Sequence, residues 1–260
     1  MSWEITSDAR ARYVDYLKKT HEEDHFSKFR KNKDIRGIIE GVSESAGKSY
    51  LDKIEKLDAS WLRANWHRIA ENESVGSPDT VRFKDNLPPL APVTLRYVWN
   101  GLELDRAVSL RGKSVVEIGG GYGGLARIIC ALFEPQSYSI IDLPEALDIA
   151  HKYLNQFNIK TKLAFLPIDS VCNVDVFIAN YSVAELDRIE QEKYLNNVIL
   201  RSKAGYFTHN LPSPLRSQLS RKEFEEEFAK KFDVRSYQES LHKCEMSVVY
   251  VCEEKKTEAS

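Results

Sequence analysis

A chain of 260 residues with 37 Lys+Arg against 39 Asp+Glu carries a formal net charge of -2 and a pI near 6.3. That length can bury a sizeable core, and the near-neutral balance excludes bulk electrostatic attraction to nucleic acid. Cys130, Cys172, Cys244 and Cys252 show no CxxC or metal spacing, no segment reaches the roughly 18 apolar residues of a membrane span, and Met1 to Thr6 has no apolar signal core, so a cytoplasmic, reducing setting is expected.

Residues 1–91 are predicted to form a polar, helical N-terminal cap. Tyr13, Tyr16 and Leu17 share one helical face, as do Leu51, Ile54 and Leu57, and then Trp61, Leu62, Trp66 and Ile69. The basic cluster from Lys28 to Lys33 reads as a solvated helix end or loop. His21-Glu22-Glu23-Asp24-His25 matches H-E-x-x-H literally. Its neighbours Lys18, Lys19, Thr20 and Lys28 are polar and no third ligand follows, so it is expected to be an exposed charged helix, and no metal site is assigned. Turn-rich stretches at Val75 to Asp79 and Asn86 to Pro92 lead to a helix over 93–104.

From Lys113 onward strands and helices alternate, which predicts an α/β domain over 92–252 with a parallel sheet covered on both faces. The expected strands are 114–118, 137–141, 162–167, 174–179, 205–208, 233–237 and 246–252. The expected helices are 125–133, 144–157, 183–201 and 221–232. The last helix has a capping box, Ser220 with Glu223, and a stripe of Phe224, Phe228 and Phe232. Too little chain joins the final two strands for a helical crossover, so one must run antiparallel or apart. Residues 253–260 read as a charged, disordered tail.

The strand Val115 to Ile118 runs into Gly119-Gly120-Gly121-Tyr122-Gly123-Gly124 and then a helix, the geometry of an adenosine-ligand cradle. Gly119-x-Gly121-x-x-Gly124 also satisfies a dinucleotide fingerprint. Asp142, ending the second strand about twenty residues on, would hold ribose hydroxyls in either case. Glu117 separates the two: an anion two residues before the first glycine repels a pyrophosphate and attracts a cation such as S-adenosylmethionine. The loop also lies behind more than a hundred residues, whereas dinucleotide folds often begin at theirs.

These features resemble a class I S-adenosylmethionine-dependent methyltransferase across residues 92–252: a Rossmann-like seven-stranded sheet whose last strand is antiparallel, behind a helical cap. Asp142-Leu143-Pro144-Glu145 is similar to the step after strand two in many small-molecule O-methyltransferases. More narrowly, Trp61-Leu62-x-x-Asn65-Trp66-x-x-Ile69, Val75-Gly76-Ser77-Pro78 and Asn180-Tyr181-Ser182-x-x-Glu185 resemble the bacterial sugar O-methyltransferase family, with Ser77 where that family has Asn. The resemblance implies that Glu117, Gly119, Gly120, Gly121 and Tyr122 face the methionine part of the cofactor. It implies Asp142 at the ribose, Leu143 on the adenine and Asp169 at the adenine amino group. Asn180 and Tyr181 would flank the methionine and its methyl. The alternative reading of Asp169 is a helix or turn cap beside Ser170, and that of Asn180 a turn residue satisfying its own backbone.

An alcohol acceptor needs a base to take its proton. The candidates are His209, in a loop after the fifth strand, and Glu185. Because Ser182-x-x-Glu185 is itself a capping box, His209 is preferred. Glu239 and His242 in the last hairpin and His67 on the Trp61 helix are secondary candidates.

The expected function is methylation of a hydroxyl on a sugar, sugar nucleotide or glycan precursor in polysaccharide biosynthesis, with Trp61 and Trp66 either stacking on the acceptor or packing between helices. A sugar acceptor predicts a carboxylate-rich cleft. An aromatic or polyketide acceptor predicts an apolar one. A non-catalytic scaffold and, more remotely, a nicotinamide oxidoreductase compete with both. No nucleic-acid partner is expected, and a homo-oligomer is left open.

Overall fold

The computed structural model describes residues 7–210, 218–239 and 247–256. His242, Cys244, Met246 and the end of the tail, 257–260, lie outside them. The helices are α1 (Ser7–Lys19), α2 (Glu23–Phe26), α3 (Lys33–Ile39), α4 (Glu44–Ala70), α5 (Pro92–Val108), α6 (Gly124–Phe133), α7 (Pro144–Leu154), α8 (Arg188–Asn197) and α9 (Arg221–Ala229). The strands are β1 (Ser114–Ile118), β2 (Ser137–Ile141), β3 (Lys162–Leu166), β4 (Val176–Asn180), β5 (Ala204–His209), β6 (Phe232–Gln238) and β7 (Val248–Glu254). They fall into two compact units. One comprises the described residues up to Leu102 with Gly120–Glu134 and Leu143–Lys160. The other comprises Glu103–Gly119, Pro135–Asp142 and the described residues from Thr161 onward.

The second unit is built on one seven-stranded sheet in the order β3-β2-β1-β4-β5-β7-β6. β1 lies between β2 and β4, and these pairings, with β2–β3 and β4–β5, are parallel. β7 runs antiparallel to both β5 and β6. This is the Rossmann-like seven-stranded sheet with an antiparallel last strand that was expected. The central strands are apolar runs because both their faces are covered: β5 is buried throughout, and β4 up to Asn180. β6 is an edge, and its exposed Asp233 and Arg235 blunt it against pairing with another chain.

The core on the α8 and α9 side gathers Phe177, Phe207, Phe224, Phe228, Phe232 and Tyr250. Tilted and edge-on pairs such as Phe207 with Phe224 (4.9 Å) and Phe228 (5.2 Å) suit the quadrupoles of the rings. α9 keeps its capping box, but it ends at Ala229, so Phe232 joins the same core from the start of β6. The expected helix over 183–201 is interrupted. A 3-10 turn at Val183–Glu185 gives way to extended backbone at Leu186, and Asp187 then caps α8 by accepting from Glu190 N at 3.0 Å. At the amino end of the sheet, Asp175 accepts from Ser114 N (2.9 Å), Ser114 Oγ (2.8 Å) and Lys203 Nζ (2.8 Å), fastening β4 to β1.

In the first unit α4 is two helices joined at Asp58, whose φ of -161° and ψ of 92° are extended. The Asp58 carboxylate accepts from Trp61 N (2.8 Å) and Ser60 Oγ (2.7 Å), capping the second half. Trp66 is a packing residue, fully buried with Nε1 donating to Pro88 O at 2.9 Å. Trp61 stacks on Phe133 at 6.1 Å.

Two expectations for this region are corrected. The basic cluster is not wholly solvated, because Phe29 and Arg30 are both 0% exposed: the guanidinium is neutralised by carboxylates it meets only in the folded chain. His21 and His25 do not share a helix. α1 stops at Lys19 and α2 starts at Glu23, and the two imidazoles approach Asp148 (3.7 Å) and Glu22 (3.2 Å) instead. No described helix is long and apolar enough to cross a membrane.

Candidate active site

In an open parallel sheet, ligands bind beyond the carboxyl ends of the strands, and the second unit gathers most of the chemically capable side chains there. β1 ends by turning tightly. Gly119 has φ +78°, and its N–H donates to Ile141 O at 2.8 Å. A Cβ on Gly119 would come within 2.4 Å of Ser182 Cβ, so no larger residue fits. Ser182 Oγ donates to Ile118 O at 2.7 Å, locking the segment after β4 against the end of β1.

Glu117 lies just inside this turn and is only 4% exposed. Burial pushes its carboxyl up from an ordinary 4.5 to about 7. A hydrogen bond from the Tyr138 hydroxyl, 2.8 Å from Oε2, opposes the rise, and nearby Asp142 adds to it. No cation among the described residues offsets that burial. Asp142 follows β2 directly and is half-buried.

The ends of β4, β5 and β6 supply a second group. Asn180 Oδ1 accepts from Thr208 Oγ1 at 2.8 Å, across the parallel pairing of β4 with β5. Its Nδ2 is buried, with no hydrogen-bond partner among the described residues. Tyr181 has φ +50°, a conformation uncommon for a side chain of its size and typical of functional sites. Its hydroxyl donates to Glu239 Oε2, and Glu239 is itself buried. Glu185 Oε1 accepts from Asn210 Nδ2 at 2.5 Å, and burial raises the Glu185 carboxyl to about 7.

Ser182-x-x-Glu185 is therefore not a capping box here. The hydroxyl serves Ile118, the carboxylate serves Asn210, and no side chain caps the 3-10 turn. His209 is not in a loop. It is the last residue of β5, fully buried, edge-on to Phe224 at 5.7 Å, with Arg221 Nε donating to its Nδ1 at 3.5 Å. Asp169 does not end β3: it sits three residues beyond, exposed, in a turn closed by Ser170 N and Oγ on Pro167 O (3.1 and 2.7 Å).

Gly120, Gly121, Tyr122 and Leu143 belong to the first unit. Gly121 (φ +55°) and Gly123 (φ +87°) wind the turn, and Gly123 precedes α6 without a side-chain cap. The Tyr122 ring is buried among neighbours and is committed to packing. Leu143 is half-buried at the N-cap of α7, ahead of Pro144.

Thr208 and Asn210 went unseen in the sequence, although they flank His209. For Thr208 the signal was register: a residue pairing with the strand end at Asn180 meets its side chain.

No family model matches the chain, and no curated protein does. Among solved structures, a Thermoplasma acidophilum protein is similar at 15% identity and TM-score 0.48, over 63% of this chain and 91% of that one. The pyocyanin biosynthetic protein PhzM is similar at 15% identity and TM-score 0.47, over 63% of this chain and 56% of its own. The mitomycin 7-O-methyltransferase MmcR is similar at 16% and 0.47, over 64% and 56%. The chain thus spans little more than half of the last two, and likenesses this distant concern fold alone.

Proposed function

We propose that this chain is an S-adenosylmethionine-dependent O-methyltransferase acting on a polar hydroxyl compound: a sugar, sugar nucleotide or glycan precursor. The observation that carries it is a pair of carboxyls raised by burial, the buried Glu117 and the half-buried Glu185, at the carboxyl edge of a class I methyltransferase sheet.

The residues present fit that cofactor. Glu117 is a buried anion awaiting a cation, and Asn180 Nδ2 is a buried donor awaiting an acceptor such as a ligand carboxylate. Asp142 would take the ribose hydroxyls. When bound, S-adenosylmethionine supplies an electrophilic methyl on a sulfonium.

What the chain must add is an aligned, deprotonated oxygen in a site shielded from water. Glu185 suits that task better than His209. Its carboxyl, raised to about 7, is poised to gain or lose a proton near neutrality, and Asn210 occupies only Oε1. His209 Nδ1 faces the Arg221 guanidinium at 3.5 Å, a cation that disfavours its taking up a proton. Glu185 Oε2 would take the acceptor's proton during attack, leaving a carboxylic acid held by Asn210. Glu185, Glu239, Asn180 and Asn210 make the edge polar, which favours a hydroxylated acceptor over an aromatic one.

The test has two steps: calorimetric titration with S-adenosylhomocysteine, then mass spectrometry of a panel of sugar nucleotides, glycans and phenols incubated with the methyl donor. Binding and a gain of one methyl on a sugar hydroxyl are expected. Methylation of phenols alone moves the acceptor to the aromatic class. A folded protein that binds neither cofactor nor product is a scaffold.

A further inference from the structure

Tyr122 is the only side chain in the glycine turn, and the first unit grips it. Its ring meets Phe29 at 5.2 Å and Tyr153 at 4.9 Å, both edge-on. The Arg30 guanidinium lies 5.2 Å from its centroid, and its hydroxyl donates to Glu40 Oε1 at 3.5 Å. Arg30 is the hub of this grip. Fully buried, it puts Nε 2.6 Å from Glu40 Oε1, Nη2 2.9 Å from Glu73 Oε2 and Nη1 2.6 Å from Asn72 O. Asn72 also accepts from the Tyr153 hydroxyl at 2.9 Å. Its own backbone is fixed as well: Arg30 N donates to Gly76 O at 3.1 Å, and Gly76 (φ +83°) has no room for a Cβ, which would meet Phe29 at 2.5 Å.

Burying an arginine between two glutamates is costly, and burial, with a further push from Glu73, drives the Glu40 carboxyl up against the pull of Arg30. Apolar residues would stabilise a helical unit as well or better, so the cluster needs another reason. The turn provides one. Gly120, Gly121, Gly123 and Gly124 give the backbone great freedom, and a ligand that needs one shape of it binds more weakly by the fraction of time it spends elsewhere. A rigid, charged clamp on the Tyr122 ring holds that shape before any ligand arrives.

We propose that Arg30 is a positioning residue for the methyl donor: through Tyr122, it holds the glycine turn in its donor-binding form. The N-terminal helical region would then have a donor-side role besides any contact with acceptor. This inference rests on the donor reading above.

Arg30→Met is the test, with Trp66→Phe as a control that disturbs a wholly buried residue of the same unit without touching Tyr122. Two quantities are measured in each folded variant: affinity for S-adenosylhomocysteine by calorimetry, and amide hydrogen exchange over residues 120–124. Arg30→Met is expected to weaken binding about tenfold, corresponding to a turn competent about a tenth of the time, and to speed exchange in the turn. Trp66→Phe is expected to lower Tm while changing neither. Should Arg30→Met not fold, Arg30→Lys serves, since lysine keeps the charge but cannot span Glu40, Glu73 and Asn72 together. Unchanged affinity and exchange in the Arg30 variant overturn the clamp. A wild type that does not bind S-adenosylhomocysteine, with turn exchange still faster in Arg30→Met, sinks the donor reading and leaves the clamp standing.

Discussion

His209 and Glu185 stand on the same edge of the sheet and differ in what their neighbours leave available. Arg221 donates to His209 Nδ1, and Phe224 packs against the ring. Glu185 keeps an oxygen and a carboxyl raised to about 7. In the proposed reaction Glu185→Gln should lower kcat by about two to four orders of magnitude with donor affinity unchanged. In the wild type kcat should climb as pH rises through about 7, the range in which Glu185 becomes a base. His209→Asn should cost roughly 1–3 kcal/mol of stability, read by denaturant melts, because it disturbs a buried hydrogen bond and ring contact. An active, folded Glu185→Gln paired with an inactive, folded His209→Asn would hand the role to His209. Spacing alone suggested the opposite ranking, since Ser182-x-x-Glu185 is a valid local pattern. The local pattern lost because Ile118 and Asn210 offer Ser182 and Glu185 better partners from elsewhere in the sheet.

Among the elements, the junction of β1 with the segment after β4 is the tightest point near the site. Gly119→Ala would place a Cβ 2.4 Å from Ser182 Cβ and would hold alanine at φ +78°. Strain and overpacking together should cost roughly 2–5 kcal/mol. Adding Ser182→Gly removes the clash but not the φ strain, so the double variant should recover part of the loss in chemical denaturation. Additive losses would show that the two positions do not press on each other. Apolar runs located β1, β4 and β5 because those strands are buried on both faces, while β2 alternates, with Tyr138 and Ile140 buried and Ser137 and Ser139 half-buried. Local pattern placed the start of α9 because the capping box is a contact between residues three apart. It overran α8, where the helix is broken at Leu186 and restarted by Asp187.

For the whole molecule, the displaced carboxyls dictate how stability depends on pH. Glu117 and Glu185 have folded values raised to about 7, so the folded state binds their protons more tightly than the unfolded chain. Their stabilisation is complete below about 4.5 and is lost as pH rises through 7. Asp175 is held down at about 2 by Lys203 and Ser114, so its contribution is present above about 4 and is lost as pH falls toward 2. Thermal stability of the unliganded protein should therefore peak near pH 4–5 and decline toward pH 8, measured as Tm in one ionic strength. Glu117→Gln should flatten that decline, gaining up to about 3 kcal/mol at pH 8, because glutamine can still accept from Tyr138. A profile that rises from pH 5 to 8 would mean that neither carboxyl is as buried as its surroundings indicate.

What the sequence determined by itself was local or periodic: the order of the strands and helices along the chain, the glycine turn, Glu117 before it and Asp142 after β2. Each follows from neighbours a few residues apart or from an alternation that burial imposes on a strand. The sequence allowed the final two strands to pair antiparallel or lie apart, and the sheet pairs them antiparallel. What the tertiary structure decided was partnership between distant residues. Arg30 is buried because Glu40 and Glu73 come to it from 10 and 43 residues away. Tyr181 meets Glu239, Asn180 meets Thr208, and Glu185 meets Asn210 only once β4, β5 and β6 lie in one sheet. Hydrogen bonds and ion pairs act over a few ångströms of space and are indifferent to sequence separation. A basic cluster, a capping pattern or a histidine at a strand end therefore acquires its role only when the fold has chosen its neighbours.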